Sequence, residues 1–503
     1  MPTNTVPDTL PRFDAYIAGG RVAPASGEYF ETVNPYTSKI WATVARCGRH
    51  EADQAVEAAY AAFTHGPWAT MTASQRGALL RRLGDLIAAN AAELAEYEVR
   101  DNGKLISEMA AQCNYLPQWY YYFGGLADKI EGAVIPIDKA ETFNFTVHEP
   151  IGVVAAITPW NSPLLLLTFK LAPALAAGCT VVIKPSEFTS TSTLRFVELF
   201  AEAGFPPGVV NVVTGFGAEV GSALVEHPKV AKVAFTGGTD SGARVYQAAA
   251  KSLKRCTLEL GGKSPNIVFD DAVIDDAVKG AISGIFAATG QTCIAGSRLL
   301  VQAGIYDEFV ERLVAFAATA RMGDPMKRDT QVGPVTTPPQ YDKILSYIEV
   351  AKNEGAKLLL GGGPARGQPG TGDSEYFVQP TIFGGVTNRM RIAQEEVFGP
   401  VLSIIRFETD DEAIAIANDI AFGLAAGIWT QSIKRALKVS KAIRAGTVWV
   451  NTYRAVSYMS PFGGYKQSGL GRENGIEAVR EYLETKSVWI STADDVPNPF
   501  IMR

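Results

Sequence analysis

From Gly152 onward, short β-branched runs alternate with apolar residues at helical spacing, and that alternation restricts the chain to an α/β architecture. The runs cover residues 153–157, 180–183, 209–213 and 230–235, and helices are predicted between and after them over 164–177, 192–203, 218–225 and 241–251. Strands separated by helices of this length read as βαβ units around a parallel sheet. A second series has strands near Ile267, Leu299, Val401, Gly427 and Val448. Two such layers predict two lobes with a cleft between them. With 503 residues the chain also exceeds one ordinary hydrophobic core, so two or three domains are expected.

The opening third is mixed. Residues 16–23, with Gly19-Gly20 at the turn, predict a hairpin. Apolar residues recur every three or four positions over 51–63 and 74–99, and a third helix is expected over 107–130. Two segments fit neither lobe: 142–148 and 486–490 alternate polar and apolar residues, as an exposed edge strand or a subunit contact would.

The bulk numbers exclude several classes. A net charge of −6 with scattered basic residues gives no field for nucleic acid. No apolar stretch approaches the roughly 18 residues of a membrane span, and the start, MPTNTVPDTLPRFDAY, lacks the basic and apolar regions of a secretory leader. Five cysteines without CxxC spacing point to reduced thiols in a cytoplasmic compartment, and four scattered histidines make a metal centre unexpected.

Four motifs carry chemistry. Phe235-Thr-Gly-Gly-Thr-Asp-Ser-Gly242 follows a predicted strand and opens a predicted helix, where unpaired N–H groups favour a phosphate; the GxGxxG pattern is absent, and a plain tight turn is the alternative. Lys184-Pro-Ser-Glu187 ends another predicted strand, where open sheets bind ligands; it reads as a grip on two ribose hydroxyls or as a surface charge pair. Cys293 lies among small and polar residues in Gly290-Gln-Thr-Cys-Ile-Ala-Gly-Ser297, which suits an accessible nucleophile or an inert thiol. Glu259 sits between two leucines on a strand. Burial would raise its pKa into the range of a general base, unless it pairs with Lys263 or an arginine.

Together these stretches resemble the aldehyde dehydrogenase superfamily over nearly the whole chain. The likeness also takes in Thr158-Pro-Trp-Asn161, Glu395-Glu-Val-Phe-Gly-Pro400 and Pro461-Phe-Gly-Gly-Tyr-Lys466. It implies an NAD(P)-dependent enzyme oxidising an aldehyde to its acid. In that reading Cys293 is the nucleophile, Asn161 an oxyanion donor, and Glu259 the base that lets water hydrolyse a thioester. Lys184 and Glu187 would hold the adenosine ribose, Trp160, Gly237 and Gly238 would follow the pyrophosphate, and Glu396 and Phe398 would meet the nicotinamide ribose and ring. A carboxylate at Glu187 repels a 2′-phosphate, so NAD is favoured, with NADP as a second fit.

By the same likeness Tyr115, Trp119, Leu166, Phe169, Ala287, Thr292, Ile294 and Val456 would surround the aldehyde, and Arg454 stands in a nearby loop where many relatives have an acidic or neutral residue. This lining suits an apolar, aromatic or terpenoid substrate. The alternatives are a semialdehyde steered by Arg454 (unless that residue pairs with a surface carboxylate), a betaine-type aldehyde in a partial aromatic cage, or transfer to coenzyme A, against which Glu259 argues. A structural role without catalysis would leave Cys293, Glu259 and Asn161 without purpose. The resemblance implies two Rossmann-type lobes and a small β bridging part. It divides the chain into a cofactor domain (1–130 and 152–261), a catalytic domain (262–475) and a bridging domain (131–151 and 476–503). The bridging part would join a homodimer or homotetramer.

Overall fold

The β-branched runs after Gly152 become the centre of an eight-stranded sheet in the computed structural model of the chain, which describes residues 10–496 and 498–501. The first nine residues, part of the stretch read as lacking a leader, lie outside the described residues. Val153–Ile157, Thr180–Lys184, Val210–Val212, Val230–Thr236 and Arg255–Glu259 run parallel. Their neighbours at the two edges are antiparallel: the hairpin Ala15–Ile17 with Gly20–Val22 on one side, and Gly469–Leu470 on the other.

A second sheet has seven strands. Thr381–Gly384, Val401–Phe407, Arg298–Gln302, Pro265–Val268, Ala425–Trp429 and Thr447–Val450 are parallel, and Lys357–Leu360 closes one edge antiparallel. The predicted α/β architecture with two Rossmann-type lobes is therefore present. The two orphan segments pair with each other: Thr142–Pro150 and Leu483–Ser491 form an antiparallel ribbon, with Pro150 opposite Leu483 and Thr142 opposite Ser491.

The first lobe is organised by one long helix, Ala73–Asn102. Thr72 Oγ1 accepts from the Gln75 backbone N–H while Gln75 Oε1 accepts from the Thr72 backbone N–H, a reciprocal cap that fixes the start. Leu80, Leu83, Ile87, Leu94 and Val99 fall on one buried face. Gly103, at φ 70°, ends the helix and sends Lys104 back into the interior.

The third predicted helix is not continuous. It divides into Ile106–Tyr115, Pro117–Leu126 and a short turn at Ala127–Lys129. Pro117 has no N–H to continue the first helix and takes the opening position of the second. The helix expected over 218–225 likewise begins as a wide turn, Gly217–Gly221, before Ser222–Glu226. Among the described residues no helix is long and apolar enough to cross a membrane.

Candidate active site

The carboxyl ends of the parallel strands converge on one cavity of about 620 Å³. Asn161 and Trp160 reach it from the loop after Val153–Ile157, and Lys184 and Glu187 from the end of Thr180–Lys184. Gly237 and Gly238 stand at the N-terminus of the helix Thr239–Ala250. Glu259 ends its own strand, and Cys293, Glu396 and Phe398 come from the second lobe. All ten predicted catalytic and cofactor positions therefore line the same space.

Cys293 follows a left-handed turn. Ala288 and Thr289 both have φ 54° and Gly290 has φ 69°. A Cβ at Gly290 would stand 2.0 Å from the Gly399 carbonyl oxygen, so only glycine lets the two segments meet. Gly262 is equally tight, with its missing Cβ 2.4 Å from the Cys293 carbonyl oxygen. The half-buried Cys293 thiol is pushed up to about 12, first by burial and then by the Glu396 and Glu259 carboxylates. Asn161 Nδ2 donates to the Gln291 carbonyl at 3.0 Å, which fixes the amide beside Cys293 and leaves its second N–H free of that bond.

Glu259 is 3% exposed, and neither of its carboxylate oxygens has a partner among the described residues. The pairing with Lys263 or an arginine does not form. Burial raises the Glu259 pKa well above the usual carboxylate range and Glu473 adds to the rise, while Lys170 and Arg472 oppose it. Lys170 and Glu473 form a buried ion pair behind it, and Lys170 Nζ also donates to Thr236 Oγ1 at 2.6 Å. An isolated buried carboxyl of this kind stays protonated longer than one in water, as a base working near neutrality requires.

The remaining predicted positions suit a dinucleotide. Lys184 Nζ meets Glu187 Oε2 at 3.1 Å, holding a donor and an acceptor side by side at a strand end. Gly238 has open space where a Cβ would stand, and the buried Thr239 hydroxyl has no partner in the protein. An anionic group at this twelve-residue helix N-terminus would meet both features. Glu396 Oε1 accepts from the Gly262 N–H at 2.9 Å, and burial raises its pKa. The Phe398 ring lies edge-on to Trp160 at 5.3 Å.

Sequence reasoning missed Gln340 and Lys343, which also line the cavity from the helix Pro338–Asn353. Gln340 Nε2 donates to the Val397 and Phe398 carbonyls at 2.8 and 3.0 Å, holding the Glu396 loop in place. Their three-residue spacing after the Thr337 cap was the available signal. Lys170 and Glu473, 303 positions apart, gave none.

The residues expected around the aldehyde separate. Leu166 lines the cavity. Tyr115, Trp119, Phe169, Thr292, Ile294, Arg454 and Val456 do not. Trp119 is fully buried, stacks on Phe169 at 5.2 Å and donates through Nε1 to Asn474 at 2.7 Å. Tyr115 meets the Trp119 ring edge-on at 4.9 Å and remains exposed. Ile294 is buried, and Thr292 and Val456 are half-buried. Arg454 is paired: its Nη2 donates to Glu108 Oε1 at 3.0 Å. Of the two readings of Arg454, steering by a free guanidinium and pairing with a carboxylate, the structure has the pair, and its partner is the largely buried Glu108.

Comparison with known proteins agrees with this geometry. The aldehyde dehydrogenase family profile matches residues 22–488. The chain is 46% identical over 497 residues to the (Z)-2-((N-methylformamido)methylene)-5-hydroxybutyrolactone dehydrogenase of Acinetobacter baylyi, covering 98% of this chain and 100% of that one. It is 49% identical over 469 residues to human mitochondrial aldehyde dehydrogenase, covering 92% and 89%. Among solved structures, betaine aldehyde dehydrogenase from Staphylococcus aureus in complex with NAD+ superposes with a TM-score of 0.95 at 41% identity, covering 97% of each chain.

Proposed function

The chain belongs to the aldehyde dehydrogenase family and is an NAD(P)-dependent oxidoreductase; from that premise we propose that Cys293, Asn161 and Glu259 carry the chemistry to the free acid. Cys293 Sγ adds to the aldehyde carbon. The developing oxyanion is met by the free Asn161 N–H and the Cys293 backbone N–H. NAD, when bound along Lys184, Glu187, Gly237, Gly238 and Glu396, supplies the hydride acceptor. Glu259 then takes a proton from the water that opens the Cys293 thioester.

One observation supports this most: a buried, unpaired carboxyl and a thiol share one cavity with a complete set of nucleotide-binding positions. The same carboxyl speaks for hydrolysis over transfer to coenzyme A. Glu187 beside Lys184 favours NAD over NADP, and Leu166 on the cavity wall supports an aldehyde with an apolar or aromatic body. The domain limits given above remain part of this proposal, with Gly469–Leu470 joining the first sheet and not the second.

Single-turnover measurement of NADH with benzaldehyde tests the scheme. Cys293→Ala should give no NADH. Glu259→Gln should keep a stoichiometric burst while steady turnover falls at least about a hundredfold. A Glu259→Gln enzyme without a burst would mean that this carboxyl also activates the thiol, and the division of labour would fail.

A further inference from the structure

Arg454 and Glu108 belong to a larger polar cluster that the scheme above does not use. Lys104, 2% exposed, donates from Nζ to Ser162 Oγ at 3.1 Å and stands 3.8 Å from Glu108 Oε1. Gln112, one helical turn after Glu108 on Ile106–Tyr115, donates from Nε2 to the same Oε1 at 3.4 Å. Its own Oε1 is buried without a partner among the described residues. Two cations and one amide thus share a single carboxylate oxygen.

The cluster adjoins the reacting atoms on two sides. Ser162 follows Asn161 in sequence. Arg454 follows Tyr453, whose hydroxyl donates to the Ile294 carbonyl at 3.0 Å, next to Cys293. None of the four residues lines the nucleotide cavity. The helix that carries Glu108 and Gln112 also carries Tyr115, which packs on Trp119 and, through it, on Phe169. An aromatic wall and a polar patch therefore share one helix, and the patch's Lys104 lies within charge-interaction reach of Cys293.

We propose that Lys104, Glu108, Gln112 and Arg454 form a polar subsite that reads a hydroxyl group on the far end of an aromatic or apolar aldehyde. The assignment rests on Cys293 being the point of aldehyde attack. A hydroxyl is the group that fits both chemistries present. Its O–H donates to the orphan Gln112 Oε1, and its oxygen accepts from the Arg454 guanidinium, whose donors are not all engaged by one carboxylate oxygen. A carboxylate has no proton for Gln112 and would face the Glu108 charge. A bare hydrocarbon would leave Gln112 Oε1 unsatisfied and dry, which is the condition under which polar sites discriminate strongly.

The test, at neutral pH, compares 3-hydroxybenzaldehyde and 4-(hydroxymethyl)benzaldehyde, whose hydroxyls stay un-ionised, with their methyl ethers, which keep similar ring electronics but lack the O–H. The wild-type enzyme should favour the hydroxy-aldehyde over the ether by at least about tenfold in kcat/KM. In Gln112→Leu the ratio should fall toward one, and because it is taken within each protein, a general loss of activity cancels. A wild-type ratio near one, or a ratio unchanged in Gln112→Leu, would overturn the subsite. So would a tenfold preference for the matching carboxy-aldehyde over the hydroxy-aldehyde. The wild-type ratio alone decides the matter if the variant does not fold. Failure of every aldehyde to yield NADH would instead strike the proposed function itself.

Discussion

Glu259 and Cys293 must both work against the same burial. Desolvation favours the protonated form of each, yet the thiol must lose its proton to attack and the carboxyl must be ionised to accept one from water. Neighbouring charges tune the carboxyl, and their signs make a prediction. Glu473 raises the Glu259 pKa, so Glu473→Gln removes a repulsion and should move the acidic limb of thioester hydrolysis to lower pH. Lys170 lowers it, so Lys170→Met removes an attraction, leaves Glu473 uncompensated, and should move the limb to higher pH. The pH profile of 4-nitrophenyl acetate hydrolysis reads both shifts. Movement of the two variants in the same direction would mean that the ion pair acts by packing and not by charge.

At the level of elements, the turn before Cys293 sets the position of the sulfur. Gly290→Ala would force a Cβ against the Gly399 carbonyl at a left-handed φ, so the loop must shift. We expect a stability loss of more than about 1 kcal/mol, seen as a lower Tm, together with slower alkylation of Cys293 by iodoacetamide. An unchanged alkylation rate would show that the turn does not position the thiol. Strands and their chemistry were legible in the sequence wherever a β-branched run ended in a short polar or glycine-rich motif, as at Ile157, Lys184, Phe235 and Glu259. There the local pattern and the global sheet agree. The break at Pro117 was equally present in the sequence, but helical spacing continued across it and hid it. What no local pattern carries is the pairing of distant charges: Lys170 with Glu473, and Arg454 with Glu108, are settled only when the lobes close.

The ribbon of Thr142–Pro150 with Leu483–Ser491 is the part of the whole molecule least able to stand alone. A two-stranded ribbon is marginal in water. Among the described residues this one has only a single further bridge, Val134 opposite Phe145, along its edge, and it shows apolar side chains on both faces. Phe143 lies opposite Ile490 on one face and Trp489 projects from the other, all of them substantially exposed. Apolar groups displayed together on a two-stranded sheet favour a cover. Among the described residues nothing in the chain covers these side chains, so we expect a second copy to do so, giving the homodimer or homotetramer that the resemblance implies. Light scattering should find the wild-type protein at a multiple of the monomer mass. Ile490→Lys should shift that population toward the monomer and lower Tm, because burying an unpaired ammonium at the contact costs more than the lost apolar area. The effect should appear in assembly before it appears in chemistry: at concentrations where the variant still associates, its NADH burst should match the wild type. A wild-type protein that scatters as a monomer at every concentration would leave the ribbon uncovered and remove the reason given for it.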